Sequence, residues 1–179
     1  MTDIDQAGWH PRIRSLHDYW QAIRPASGLP GRQHLDPCDI PALLRNICLI
    51  DVGRDPLSLR YRLMGTEICR RLGHDFTGSA VEAAHGAFGP GEAQPEAYGP
   101  VIAGGALQWR RWRPEVLTES CWPEVETIML PLARDGRSVD MLLCATVFYP
   151  RGNQPRPRML PPGRNDGMSG LLRDGANGG

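Results

Sequence analysis

Five cysteines (Cys38, Cys48, Cys69, Cys121 and Cys144) and five histidines carry most of the metal-binding and nucleophilic potential of this chain. The cysteines are scattered, odd in number and form no CxxC pair, a pattern of reduced intracellular thiols rather than a disulfide framework. Haem chemistry would need an axial ligand, usually histidine. His74 follows a helix end beside Asp75, and His85 lies in AAHGAF; both positions suit a cap or surface residue better than a ligand. Asp39, Asp51, Asp55, Asp75 and Asp140 fall where caps, turns and strand edges need acidic residues. The sequence holds no GxSxG, no HExxH, no GxGxxG opening a helix and no carboxylate pair at helical spacing. The reading is therefore non-enzymatic, with no catalytic residue, no metal and no resident cofactor assigned.

All 20 basic residues are arginine; without lysine, Schiff-base catalysis and a Walker A lysine are excluded. The segment LQWRRWR places Arg110, Arg111 and Arg113 among Trp109 and Trp112, a mixture of cation and stacking surface that single-stranded nucleic acids favour. A formal net charge of zero argues against a polyanion partner, so an exposed strand face is the stronger reading. The N-terminus lacks a basic region followed by an apolar run, and no apolar stretch reaches the ~20 residues a membrane span needs. These features predict a cytoplasmic protein.

The elements that must position these residues begin with HPRIRSLHDYWQAIR. Ile13, Leu16, Trp20 and Ile23 are spaced for one helical stripe, with Pro11 in the first turn and Pro25 past the end. That stripe has two uses: packing on its own domain, or forming a dimer or partner interface. After a Gly/Pro linker, Asp36-Pro37 predicts an N-cap and a short helix toward Arg45. ICLIDV (47–52) and LSLRYRL (57–63) predict a hairpin with Leu57, Leu59, Tyr61 and Leu63 on one face. A short helix follows Gly65, holding Ile68, Cys69 and Leu72 and ending at Gly73. Residues 75–81 predict another helical turn, and 92–103 a weak helix interrupted at Gly99-Pro100. Strands are predicted over 107–113, 125–132 and 139–149, the last two joined by an Asp135-Gly136 turn. Pro131 suits an edge or terminal strand position. The segment 150–179 is dominated by Gly, Pro, Arg and Asn and reads as disordered. The organisation is thus an N-terminal helix and linker (1–30), a folded domain (31–149) and a tail (150–179), in an α+β class around a five-stranded antiparallel sheet with short helices on one face.

Four blocks in order carry a family resemblance. They are His10-Pro11-Arg12-Ile13-Arg14-Ser15-Leu16 with Tyr19-Trp20, DPCDIPALL (36–44), YRLMGT with GHDFTG (61–66 and 73–78), and LPLARDGRSVDMLL (130–143). Over residues 9–149 the chain resembles the PAS domain family, in particular bacterial stand-alone members that open with such a helix. The resemblance implies a sheet whose last strand is central and a ligand-sized hollow between its inner face and the short helices. Residues expected at that hollow are Tyr61, Leu63, Met141, Leu143 and Ala145, with Leu72 and Trp109 at its margins. Both faces of the last strand are apolar, so Leu142, Cys144 and Phe148 form an alternative inner set, and a packed core without a cavity is the competing reading.

The resemblance implies a sensor or protein-interaction module in bacterial signalling, homodimeric or bound to a protein partner through Ile13, Leu16, Trp20 and Ile23. An unidentified small molecule is the expected ligand. A haem or flavin receptor is the alternative; Cys69 stands near the position of the reactive cysteine in light-sensing relatives but lacks their Asn and Gln partners. A nucleic-acid-binding regulator using the Trp/Arg strand is the more distant one.

Overall fold

The computed structural model describes residues 6–84, 95–113 and 124–149. One antiparallel sheet organises them: β1 (Ile47–Gly53), β2 (Ser58–Met64), β3 (Gln108–Trp112), β4 (Glu124–Leu132) and β5 (Met141–Tyr149), in the order β2-β1-β5-β4-β3. The last strand is central, as the resemblance implies. Every residue of β5 except Tyr149 is buried, because both faces of the sheet are covered. A strand covered on both sides needs no polar alternation, and MLLCATVFY shows none.

Residues directly opposed across an antiparallel pair share a face. One face collects Leu49, Leu143 and Leu130, and Ile128 with Ala145. The helix α1 (Pro11–Ala22) packs across β4 and β5, and its Trp20 indole donates to the Pro131 carbonyl at 3.0 Å. Ile13, Leu16 and Trp20 are buried in the same core as the sheet, and Ile23 is half-buried against it. The other face collects Cys48 with Cys144, Met129 with Cys144, and Thr127 with Thr146. Over it lie α2 (Thr66–Leu72), α3 (Gly99–Gly104) and 3₁₀ turns at Val81–Ala84 and Pro95–Tyr98.

Several local expectations are refined. The helix expected after Asp36 is two 3₁₀ turns, Pro37–Asp39 and Leu44–Asn46, with Asp36 Oδ1 accepting from the Cys38 amide at 2.8 Å. Residues 75–80 are non-helical, with a turn at Thr77-Gly78 and Ala80 bridged to Arg60 of β2, and the 3₁₀ turn at Val81–Ala84 follows. Gly99-Pro100 opens α3 rather than interrupting a helix, because a proline in the first turn has no amide hydrogen to lose. Gly73 and Gly136 adopt left-handed φ of 72° and 75°, closing α2 and the β4–β5 turn as expected. Pro131 lies beyond Met129, the last β4 residue paired with β3, so no partner strand needs its missing amide. Residues 1–5, 85–94, 114–123 and 150–179, with His85, Cys121 and the tail among them, lie outside the described residues.

The corner between β2 and α2 depends on Gly65. A Cβ there would sit 2.5 Å from the Leu44 carbonyl oxygen and 2.6 Å from that of Arg45. Both obstacles are backbone atoms and cannot rotate away. We expect Gly65→Ala to destabilise the domain by about 1–3 kcal/mol, read as a lower urea midpoint at unchanged slope. A neutral result would mean that the corner relaxes freely.

Candidate functional site

The face opposite α1 encloses a hollow with about 40 Å³ of free space. Its floor comes from β1, β5 and β4 (Cys48, Ile50, Cys144, Thr146, Thr127 and Met129), and its walls from Tyr61 and Met64 of β2, Ile68 of α2, Tyr98, and Arg110 and Trp112 of β3. A buried water needs roughly 10–15 Å³ of such space, so the hollow holds a few water-sized particles. Organic ligand sites generally span roughly 300–1,000 Å³.

Polar groups converge on this small space. Tyr61 and Tyr98 are both buried and share a hydrogen bond, and burial pushes both phenols up. Arg110 Nε donates to Thr127 Oγ1 at 3.4 Å, and its guanidinium lies 5.9 Å from the Trp112 ring centroid. The Trp112 indole nitrogen is buried and finds no acceptor among the described residues. Cys48 and Cys144 face each other across β1 and β5; their hydrogen bond, together with burial, pushes the Cys144 thiol well up, while Arg110 acts the other way.

Of the residues expected at the hollow, Tyr61 lines it. Leu63 does not, for a reason in β2. The register passes from Leu49↔Leu63 to Ile50↔Tyr61, which leaves Arg62 as an extra residue. This bulge puts Tyr61 and Met64 on the hollow face and turns Leu63 to the other, where it is 44% exposed. Leu57 precedes the strand and is 46% exposed, so the expected four-residue face is not formed. Met141, Leu143 and Ala145 lie opposite Asp51, Leu49 and Ile47, on the α1 side. Of the alternative set, Cys144 reaches the hollow, while Leu142 and Phe148 do not line it. Leu72 is half-buried against the core without lining it. Thr127 and Thr146, paired across β4 and β5, are the sequence signal that marks the hollow side.

Trp109 also faces α1, and there it joins a polar node that sequence reading missed. Glu126 is fully buried (0% exposed). Its Oε1 accepts from the His10 amide at 2.8 Å and from the Trp109 indole at 2.9 Å, and its Oε2 accepts from the Tyr149 hydroxyl. Trp9 stacks on Trp109 with centroids 5.7 Å apart. Arg111 lies 4.3 Å over the Tyr149 ring and pairs with Glu124 at 2.8 Å. Burial and the Glu126 acceptor push the Tyr149 phenol up to about 12, so it remains a donor at neutral pH. Burial lowers the His10 imidazole; its Nδ1 accepts from the Arg12 amide at the start of α1. Glu126 thereby fastens the N-terminus of α1 to the sheet.

The Trp/Arg strand is thus divided between two faces: Arg110 and Trp112 toward the hollow, Trp109 and the exposed Arg111 on the side of the node. Its aromatic rings do not form an exposed stacking platform. His74 packs edge-on against Phe76 at 4.7 Å, away from the hollow, and Cys69 donates to the Met64 carbonyl at 3.6 Å. Among the described residues no histidine lines the hollow.

No curated protein matches the sequence. A family model described as PAS domain matches residues 9–94, from the entry to α1 through the hairpin and α2. With the five-stranded antiparallel sheet and the short helices around its hollow, this match over just under half of the chain makes the protein similar to PAS domains, in a PAS-like fold of α+β class.

Proposed function

We propose that this PAS domain is a non-enzymatic cytoplasmic sensor that reports the occupancy of its hollow through the sheet to α1. A PAS domain supports a sensory or signalling role in general. Among the described residues no helix is long and apolar enough to cross a membrane. One observation carries the finer reading: alternate residues of β5 serve the two sites. Cys144 and Thr146 line the hollow, while Leu143 and Ala145 share the face on which α1 lies. A single strand therefore separates occupant from helix, and a shift that reseats Cys144 must move Leu143.

The output is the apolar stripe Ile13, Leu16, Trp20 and Ile23. Three of these residues are buried on the chain's own sheet, so docking to a protein partner or a second copy requires α1 to leave that seat. Sensing and partner binding then compete for one helix, and a ligand acts through its different affinity for the docked and released states. The test is native mass spectrometry of the protein purified from its own host, beside a Thr146→Leu variant that fills the hollow. A change in the self-associated or partner-bound fraction is expected. Identical fractions for a folded Thr146→Leu variant and the wild type would remove the link between hollow and output.

A further inference from the structure

Four sulfur side chains lie in register across four adjacent strands. Met64 of β2 opposes Cys48 of β1, Cys48 opposes Cys144 of β5, and Cys144 opposes Met129 of β4. All four are buried and all four line the hollow. Opposed residues place their Cβ atoms roughly 4.5–5.5 Å apart, and the two central thiols are already within hydrogen-bonding reach of each other. Neither cysteine is in a disulfide.

We propose that this row binds one copper(I) ion, with Cys48 and Cys144 as thiolate ligands and Met64 and Met129 as flanking thioethers. The inference rests on reading the hollow as the sensory site and names its ligand class. Thiolate and thioether donors are soft and select copper(I), whereas harder divalent ions prefer imidazole, carboxylate and water. Among the described residues no group of three or more His, Cys, Asp or Glu is placed to hold a metal, so the harder donors a tetrahedral zinc site would add are missing here. Size gives the same answer, since about 40 Å³ accepts an ion more readily than an organic ligand. Methionine, unbranched and with three rotatable bonds, can swing its sulfur toward the central pair.

Charge and protons balance as follows. Copper(I) and two neutral thiols give a bis-thiolate complex of net charge −1 and release two protons. Arg110, which already acts on the Cys144 thiol, supplies a positive charge at the hollow's edge. With metal, both thiolates turn from each other onto the ion, which reseats Cys144 on β5 beneath α1, the shift the sensor reading requires.

The experiment uses the full chain with Cys38, Cys69 and Cys121 replaced by serine, so that only the hollow thiols remain. Copper(I) is offered anaerobically from a bicinchoninate complex, with zinc(II) as the counter-probe. One copper(I) per chain is expected, with zinc(II) at least about 100-fold weaker. Apparent affinity should rise with pH, by up to about 100-fold per unit, because two protons leave on binding. Cys48→Ala and Cys144→Ala should each abolish transfer from the chelator. Met64→Leu and Met129→Leu, which conserve volume, should weaken binding roughly 10-fold with the far-ultraviolet dichroism unchanged. Failure of the folded three-serine protein to take copper, or retention of copper by Cys144→Ala, overturns the site. If copper fails while Thr146→Leu still alters α1, the sensor reading survives and only the ligand class falls.

Discussion

Glu126→Ala is expected to lower the stability of the domain by about 3–5 kcal/mol, among the largest losses available from a single polar residue. The side chain is fully buried, and three donors converge on its two oxygens. Truncation leaves the His10 amide, the Trp109 indole and the Tyr149 hydroxyl without their acceptor, and each orphaned buried donor costs about 1–3 kcal/mol. Water entering the gap recovers part of that. Glu126→Gln keeps an oxygen for His10 and Trp109 and offers its amide to the Tyr149 hydroxyl, so it should cost only about 1–2 kcal/mol. Urea unfolding of both variants measures the difference. Equal losses would show that shape rather than convergent hydrogen bonding holds the node.

Trp20→Ala is the second large effect, about 3–5 kcal/mol. Trp20 is 2% exposed at the centre of the α1–sheet contact, and its indole donates to the Pro131 carbonyl in a buried bond. Removing the ring leaves both a cavity and an unpaired carbonyl. Trp20→Phe keeps most of the volume and isolates the hydrogen bond, with an expected loss of about 1–2 kcal/mol. Should Trp20→Ala cost less than about 1 kcal/mol, α1 is undocked in solution and its stripe is already available to a partner. The same substitution therefore reports stability and decides whether release of α1 needs a signal.

The sequence made α1 legible because a 3.6-residue period with a proline at each end has few other interpretations. Gly65 and Gly73 punctuated α2 for a similar reason: a close backbone approach and a left-handed φ leave glycine as the fitting residue. The faces of β5 were not legible. Periodicity reports which side is wet, and β5 has no wet side, so Leu143 and Cys144 looked interchangeable. The bulge at Arg62 left no mark in YRLMGT, yet it decides that Met64 rather than Leu63 meets the hollow. Glu126 was visible as one acidic residue among apolar ones, but its three donors come from residues 10, 109 and 149. Only the assembled sheet brings those together. The sulfur row is hidden in the same way, since its paired members are 16, 96 and 15 residues apart along the chain and become neighbours only through strand register.

Coupling between the hollow and α1 is tested most directly by hydrogen exchange over residues 10–23, compared between wild type and Thr146→Leu at one pH and temperature. If β5 transmits occupancy, filling the hollow changes protection of α1 amides by at least about threefold, and protection of Cys38 and Asp39, whose turn is tied to α1 through Tyr19, changes with it. Identical exchange in α1, with the filled variant folded and the hollow demonstrably occupied by the leucine, would contradict transmission through the sheet.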